Sequence, residues 1–277
     1  MNRFWSLLFL LVPILGTASY LMSVFDIWPM KSTWLPENIS TSGKIIDDLF
    51  NLIHIICAVI FIGTTTILAV ALWKYRQRPS NAAAPFHSNV MLEVVWSIIP
   101  AGILIFLSLY QYESWADNKM RRPTELIAGQ EQPKPPTALV IAKQFGWEVY
   151  YPGADGQLGT LDDIYVENEL YVPDGEDVVI QLESRDVIHS FFVPALRVKQ
   201  DIVPGMTHYC WFHTINADPD KTYEIACTEL CGWGHYKMKG WLRVVPRSEF
   251  DQVMARLAKE RMQTSTEEPS ANSEDGE

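Results

Sequence analysis

Arg121-Arg122-Pro123-Thr124-Glu125-Leu126-Ile127-Ala128-Gly129-Gln130-Glu131-Gln132-Pro133-Lys134-Pro135-Pro136 divides the chain into two kinds of polymer. Before it, apolar residues come in runs of about twenty, the length a helix needs to cross hydrocarbon. After it they alternate with polar residues, the period of a strand with one face buried. The stretch itself is rich in Pro, Gln, Glu and Thr, and it reads as a stiff linker over 116–137. The boundary therefore predicts a membrane-anchored α+β protein.

Upstream lie three apolar runs: Phe4 to Phe25, Leu49 to Trp73 and Val90 to Tyr110. The first, within 1–25, follows Arg3 and contains Gly16-Thr17-Ala18. A basic n-region, an apolar stretch and small residues at a cleavage site read as a signal peptide, with an uncleaved first membrane helix as the alternative. The other two predict a transmembrane helical hairpin over 45–115. Its connecting loop carries Lys74, Arg76 and Arg78, which the positive-inside rule places in the cytoplasm. The chain from Ser114 onward then lies outside, whichever reading of the first run holds. Trp73, Trp96, Tyr110, Tyr112 and Trp115 fall where interfacial anchors belong. His54 and Glu93 sit near run ends, where headgroups or a partner subunit can satisfy them. Cys57 reads as a small packer and His87 carries no signal. Pro100 predicts a kink in the last helix.

The composition agrees with this division. The 277 residues carry a formal charge of −11. Residues 1–113 hold 6 basic and 6 acidic side chains, 114–246 hold 12 and 19, and 247–277 hold 4 and 8. The near-zero mean hydropathy averages a membrane segment with an acidic globular one. No basic stripe exists to bind phosphates, which excludes nucleic acid as a partner, whereas a basic protein would suit the surface.

Downstream, period-two stretches read as strands at 139–142, 163–166, 169–172, 177–182, 208–212 and 239–245. Turn signals such as Pro152-Gly153, Pro173-Asp174-Gly175 and Pro204-Gly205 separate them. Residues 138–246 thus predict a Greek-key sandwich or small barrel. A short helix over Glu249 to Met262 and a disordered acidic tail from Gln263 complete 247–277. Asp155 to Asp163 resembles a calcium loop in composition, but its ligand spacing is wrong and a polar hairpin turn fits better. His208 and Cys210 share one face of a strand and His213 takes the other, so they do not converge on a metal.

The chemistry is concentrated in Cys227-Thr228-Glu229-Leu230-Cys231-Gly232-Trp233-Gly234-His235-Tyr236-Lys237-Met238, together with the distant His189. Two thiols, two imidazoles and a thioether are soft ligands that select copper. One Cys would make a mononuclear blue-copper site, whereas two thiolates four residues apart can each bridge two metals, which predicts a binuclear centre. A disulfide and a structural zinc site are the rivals. The disulfide explains neither His235 nor Met238, and zinc rarely recruits Met.

This loop, with Asp186-Val187-Ile188-His189-Ser190-Phe191-Phe192-Val193-Pro194 and Asp201-Ile202-Val203-Pro204-Gly205 upstream, resembles subunit II of haem-copper cytochrome c oxidases. Leu92-Glu93-Val94-Val95-Trp96-Ser97-Ile98-Ile99-Pro100 is also similar to that family, and the likeness spans about 45–246. It implies a cupredoxin-like domain carrying the binuclear copper centre CuA. His189 and His235 would be terminal ligands, Cys227 and Cys231 bridging thiolates, and Met238 the axial thioether. Glu229 would give its backbone carbonyl to copper and its side chain to a magnesium ion shared with subunit I.

The implied activity is electron uptake from cytochrome c and delivery to haem in subunit I. Oxygen reduction and proton translocation would take place in that partner, with subunit III alongside. The implied location is a bacterial plasma membrane, multi-pass, with the copper domain on the periplasmic side; a mitochondrial inner membrane is the alternative. Other readings of the same ligand loop are a CuA subunit of a nitric oxide or nitrous oxide reductase and a copper carrier or assembly protein. A quinol oxidase subunit would lack these ligands. No Cys-x-x-Cys-His occurs, so a fused c-type haem is excluded and the donor is a separate protein. Where relatives carry Trp-Tyr-Trp at the strand that receives electrons, this chain has Gln144-Phe145-Gly146-Trp147, with Phe145 in the place of the receiving Trp. Trp147 is the candidate substitute, with a core role as its rival reading. Glu148 and Asp186, with Asp155, Asp162 and Asp163, are candidates to steer a basic donor, while Arg185 interrupts the acidic rim.

Overall fold

A backbone in hydrocarbon must satisfy its own polar groups, and helices do so within one segment. The computed structural model, which describes residues 2–75 and 88–267, carries three helices long and apolar enough to cross a membrane: α1 (Asn2–Val24), α2 (Gly43–Lys74) and α3 (Val90–Lys119). Large apolar side chains such as Ile55, Val59, Ile67, Ile98 and Leu104 are exposed on them, as expected of surfaces meant for lipid. Both hairpin helices extend beyond their apolar runs, through polar ends bearing Asp47 and Asp48 on α2 and Glu113 and Asp117 on α3. α3 passes through Pro100 without interruption. In α2, His54 Nδ1 lies 2.9 Å from the Phe50 carbonyl and its ring packs against Trp34 and Phe50, a structural role. Arg76, Arg78, His87 and 268–277 lie outside the described residues.

The chain forms two compact units, one of 1–36 with 45–113 and one of 37–44 with 114–277. Within the second, the stretch expected to be an irregular linker contains a hairpin, β1 (Thr124–Ile127) with β2 (Gln130–Pro133). Ala128 and Gly129 both adopt positive φ, 52° and 80°, the two-residue turn whose twist matches antiparallel strands.

Ten further strands make the sandwich: β3 (Ala138–Lys143), β4 (Gly146–Tyr151), β5 (Ile164–Glu167), β6 (Glu169–Pro173), β7 (Asp177–Ser184), β8 (His189–Val193), β9 (Val198–Ile202), β10 (His208–His213), β11 (Tyr223–Cys227) and β12 (Lys239–Val245). One sheet has the order β10-β7-β3-β4-β5 and the other β6-β12-β11-β8-β9. The pairs β3 with β7 and β12 with β6 are parallel, so the chain crosses between sheets as a Greek key does. This is the expected cupredoxin-like arrangement. Val140, Trp147, Val149, Ile180 and Leu182 face Leu170, Phe191, Ile202, Ile225 and Leu242 in one core. Each such aliphatic side chain contributes about 1.5–3 kcal/mol on burial.

Residues 37–44, which run into the first turn of α2, belong to this second unit, and Ile39 joins its core. Ile39 is buried, its N–H donates to the Ala195 carbonyl at 3.0 Å, and its own carbonyl accepts from Ile215 N–H at 2.9 Å. A final helix, α4 (Arg247–Glu267), packs Phe250 against Tyr151 and continues past Met262, so 263–267, expected in the tail, are helical. The 153–163 loop satisfies itself: Asp162 accepts from Asp155 N–H at 3.1 Å and Asp163 from Gly159 N–H at 2.7 Å. It is the polar turn expected.

Candidate metal centre

Three neighbouring strands position the donor atoms. His189 opens β8 and Cys227 closes β11, which pair with Cys227 opposite Phe191. β11 also pairs with β12, and Cys227 N–H donates to the Met238 carbonyl at 3.3 Å. The loop from Thr228 to Lys237 is therefore pinned at both ends. A short 3-10 turn at His235–Lys237 brings His235 back toward the sulfurs.

Cys227 Sγ lies 3.8 Å from His189 Nδ1, 3.9 Å from Cys231 Sγ and 3.3 Å from the Glu229 carbonyl oxygen. Cys231 Sγ lies 3.6 Å from His235 Nδ1 and 3.8 Å from Met238 Sδ. Two sulfurs thus occupy the centre, each with one imidazole and one weak donor beyond it. The sulfurs stand too far apart for a disulfide, whose bond is about 2.05 Å. His189, Cys227, Cys231 and Met238 are all buried. His189 Nε2 donates to Asp186 Oδ1 at 2.8 Å, which fixes the tautomer and turns the Nδ1 lone pair toward Cys227. Asp186 also accepts from Gln144 N–H at 2.7 Å, and Gln144 Nε2 donates to the Cys231 carbonyl.

Electrostatics favour a cation here. Burial raises the Cys227 thiol, but the His189 hydrogen bond and nearby backbone groups outweigh it and bring the group down to about 6. Burial and the charge on Cys227 push Cys231 up to about 11. Each thiolate opposes the other, and a bound metal is what lets both ionise. Softness, count and spacing of the donors fit a two-copper group.

The docking candidates fare differently. Phe145 is half-buried against the ligand loop, but Trp147 is 0% exposed and stacks edge-on against Phe191 at 5.7 Å. Trp147 is a core residue; Gly240 makes room for it, since a Cβ there would lie 3.0 Å from Trp147 Cδ1. Glu148 is buried and paired with Lys143 at 2.9 Å and with Arg185, so its charge is already met. Asp186 orients His189. His208, Cys210 and His213 stay apart from the centre: His208 Nε2 accepts from Val203 N–H, Cys210 is buried, and His213 pairs with Asp177. Sequence reasoning missed Gln144 and Trp233, both of which contact the loop or its supports. The proximity of Gln144 to Asp186, across β3 and β7, was not visible in the order of residues.

Comparison with known proteins adds the family. The family description "Cytochrome C oxidase subunit II, transmembrane domain" matches residues 29–113, and "Cytochrome C oxidase subunit II, periplasmic domain" matches 145–245. The alternative cytochrome c oxidase subunit 2 of Bradyrhizobium diazoefficiens is 28% identical over 266 residues, covering 87% of this chain and 88% of that protein. Cytochrome c oxidase subunit 2 of Alkalihalophilus pseudofirmus is 30% identical over 226 residues, covering 78% of this chain and 58% of that protein. The solved periplasmic domain of cytochrome oxidase subunit II from Bradyrhizobium japonicum is 28% identical and aligns with 46% of this chain and 97% of its own, with a TM-score of 0.40. With membrane and periplasmic regions matched in order on the two units described above, this chain belongs to the cytochrome c oxidase subunit II family of the haem-copper oxidases.

Proposed function

We propose that this chain is the electron-accepting subunit of its oxidase and that the Cys227–Met238 loop with His189 holds CuA. The observation that carries the reading is the paired sulfurs 3.9 Å apart, each flanked by an imidazole. Two coppers held by His189, His235, Cys227, Cys231, Met238 and the Glu229 carbonyl would supply a one-electron carrier whose charge is shared over both metals. The protein's part is to keep that site rigid and dry. Ligands on paired strands move little, buried thiolates exclude water, and Asp186 keeps His189 aimed. Electrons would come from cytochrome c on the periplasmic side of a bacterial plasma membrane and pass to haem in subunit I. Oxygen would be reduced to water there, coupled to proton translocation, with subunit III completing the assembly. Glu229 is exposed, which suits a side chain that reaches a magnesium ion shared with subunit I. Burial of the thiols speaks against a copper carrier, which needs a labile, open site.

Metal content and the electron paramagnetic resonance spectrum test the reading. Two coppers per chain sharing one unpaired electron are expected, with the signal lost in Cys227→Ser. A single blue copper, or zinc, would sink it.

A further inference from the structure

The ligand loop presents an aromatic ring that neither the metal set nor the core uses. Trp233 stands between Cys231 and His235 and is 76% exposed. Its ring meets Phe145 edge to face with centroids 5.2 Å apart, and Lys237 Nζ lies over it at 4.6 Å. Phe145 in turn rests on the loop backbone. A Cβ on Gly234 would lie 2.6 Å from Phe145 Cγ, and one on Gly232 would lie 3.1 Å from its Cε1. Gly232 and Gly234 flank Trp233 and are adjacent in sequence to the ligands Cys231 and His235. Packed atoms therefore run without a gap from a solvent-facing indole, through a phenyl ring, to backbone joined directly to two ligands.

We infer that Trp233, backed by Phe145, is where the electron donor touches this chain; the inference rests on the electron-transfer reading of the metal centre. The donor is a small protein with an exposed haem edge. A flat indole held by Phe145 and Lys237 gives that edge a rigid apolar platform, and Trp is the side chain most often dominant in protein interfaces. One electron leaves the donor's ferrous haem, which becomes ferric, and arrives at the metal held by the two thiolates. No bond is made or broken and no proton moves. The rings are not oxidised; electronic coupling decays less steeply through packed atoms than across a gap. Phe145 alone, half-buried beneath the indole, offers a donor less of this surface. Trp147 offers none.

The test uses Trp233→Ala and Trp233→Phe in the intact oxidase, mixed in a stopped-flow instrument with a reduced soluble mono-haem cytochrome c. Trp233→Ala is expected to slow the bimolecular electron-transfer step by about tenfold or more, and Trp233→Phe to keep most of the rate. Copper content, the resonance spectrum and reduction by a small inorganic reductant stay as in the parent. Calorimetric affinity for oxidised cytochrome c, a readout separate from turnover, falls by about tenfold in Trp233→Ala. Unchanged donor rate and affinity beside an intact two-copper spectrum overturn the inference and leave the electron-transfer reading standing. A parent protein without a two-copper spectrum overturns that reading, and this inference with it.

Discussion

Glu148 illustrates how a single charge is spent inside the fold. It is 8% exposed, between Lys143 from the neighbouring strand and Arg185 from the turn after β7. Burial raises its pKa, but the two cations outweigh burial and hold the carboxyl below the usual carboxylate range. An unfolded Glu titrates near pH 4.3, so the folded state binds fewer protons between the two values and stability there rises with pH. The contribution is complete above the unfolded value and is lost as pH falls through the folded one. Glu148→Gln should therefore lower stability at pH 7 by about 1 kcal/mol or more. The difference should close as the pH is taken below about 4. Urea unfolding of both proteins across that range checks it, and a gap that does not change with pH would assign the loss to packing. At this scale the candidate ligand loop was legible because Cys227, Cys231, His235 and Met238 are local in sequence and their residue types are rare together. The supports were not. Glu148 and Asp186 read as candidates to steer a donor because Arg185 reaches Glu148 and Gln144 reaches Asp186 only through tertiary structure, and the three-residue step from Asp186 to His189 is no signal by itself.

Among the elements, the segment between α1 and α2 behaves as part of the sandwich. Ile39 is 1% exposed among core side chains, and the Ser40 hydroxyl donates to the Leu196 carbonyl at 2.8 Å. Ser40 also bridges to Thr214 beside β10. Ile39→Ala should cost about 2–5 kcal/mol, the loss expected when a large core side chain is truncated. An exposed apolar control such as Leu126→Ala on β1 should cost well under 1 kcal/mol. Thermal unfolding of the two variants, followed by the loss of β-sheet circular dichroism, measures the difference. Equal, small effects would show that 37–44 is not part of the folding unit. β12, which alternates over most of its length, and β7, with its apolar run Val178-Val179-Ile180, were readable from the sequence. β4, β8, β9 and β11 were not: both faces of β4 are covered, His189 puts an imidazole at a buried position of β8, β9 carries three polar residues between its two buried ends, and β11 is a five-residue strand that ends in the ligand-loop residue Cys227. β1 and β2 hid inside a proline-rich composition whose Ala128-Gly129 turn is a weak signal without Asn or Asp.

For the molecule as a whole, charge is distributed rather than aimed. The region 114–246 carries 19 acidic against 12 basic residues, yet two of the acids offered as steering candidates, Glu148 and Asp186, are already paired. Attraction of a basic donor should then arise from the summed field of the domain and not from one contact, while the exposed ring at Trp233 sets the final fit. Such a field is screened over about 8 Å at physiological ionic strength, so its effect belongs to the encounter and not to the docked complex. Raising salt from about 10 mM to about 300 mM should slow electron uptake from a basic cytochrome c by tenfold or more. An acidic cytochrome should show no such slowing and should gain slightly, because repulsion is screened as well. Removing one unpaired surface acid should change the slope of log rate against the square root of ionic strength only slightly, whereas Trp233→Ala should lower the rate at every salt concentration and leave the slope intact. Stopped-flow rates over that salt series, for both donors and both variants, separate the two contributions. A basic donor whose rate ignores salt would mean that the acidic excess serves solubility and that recognition rests on the apolar contact alone.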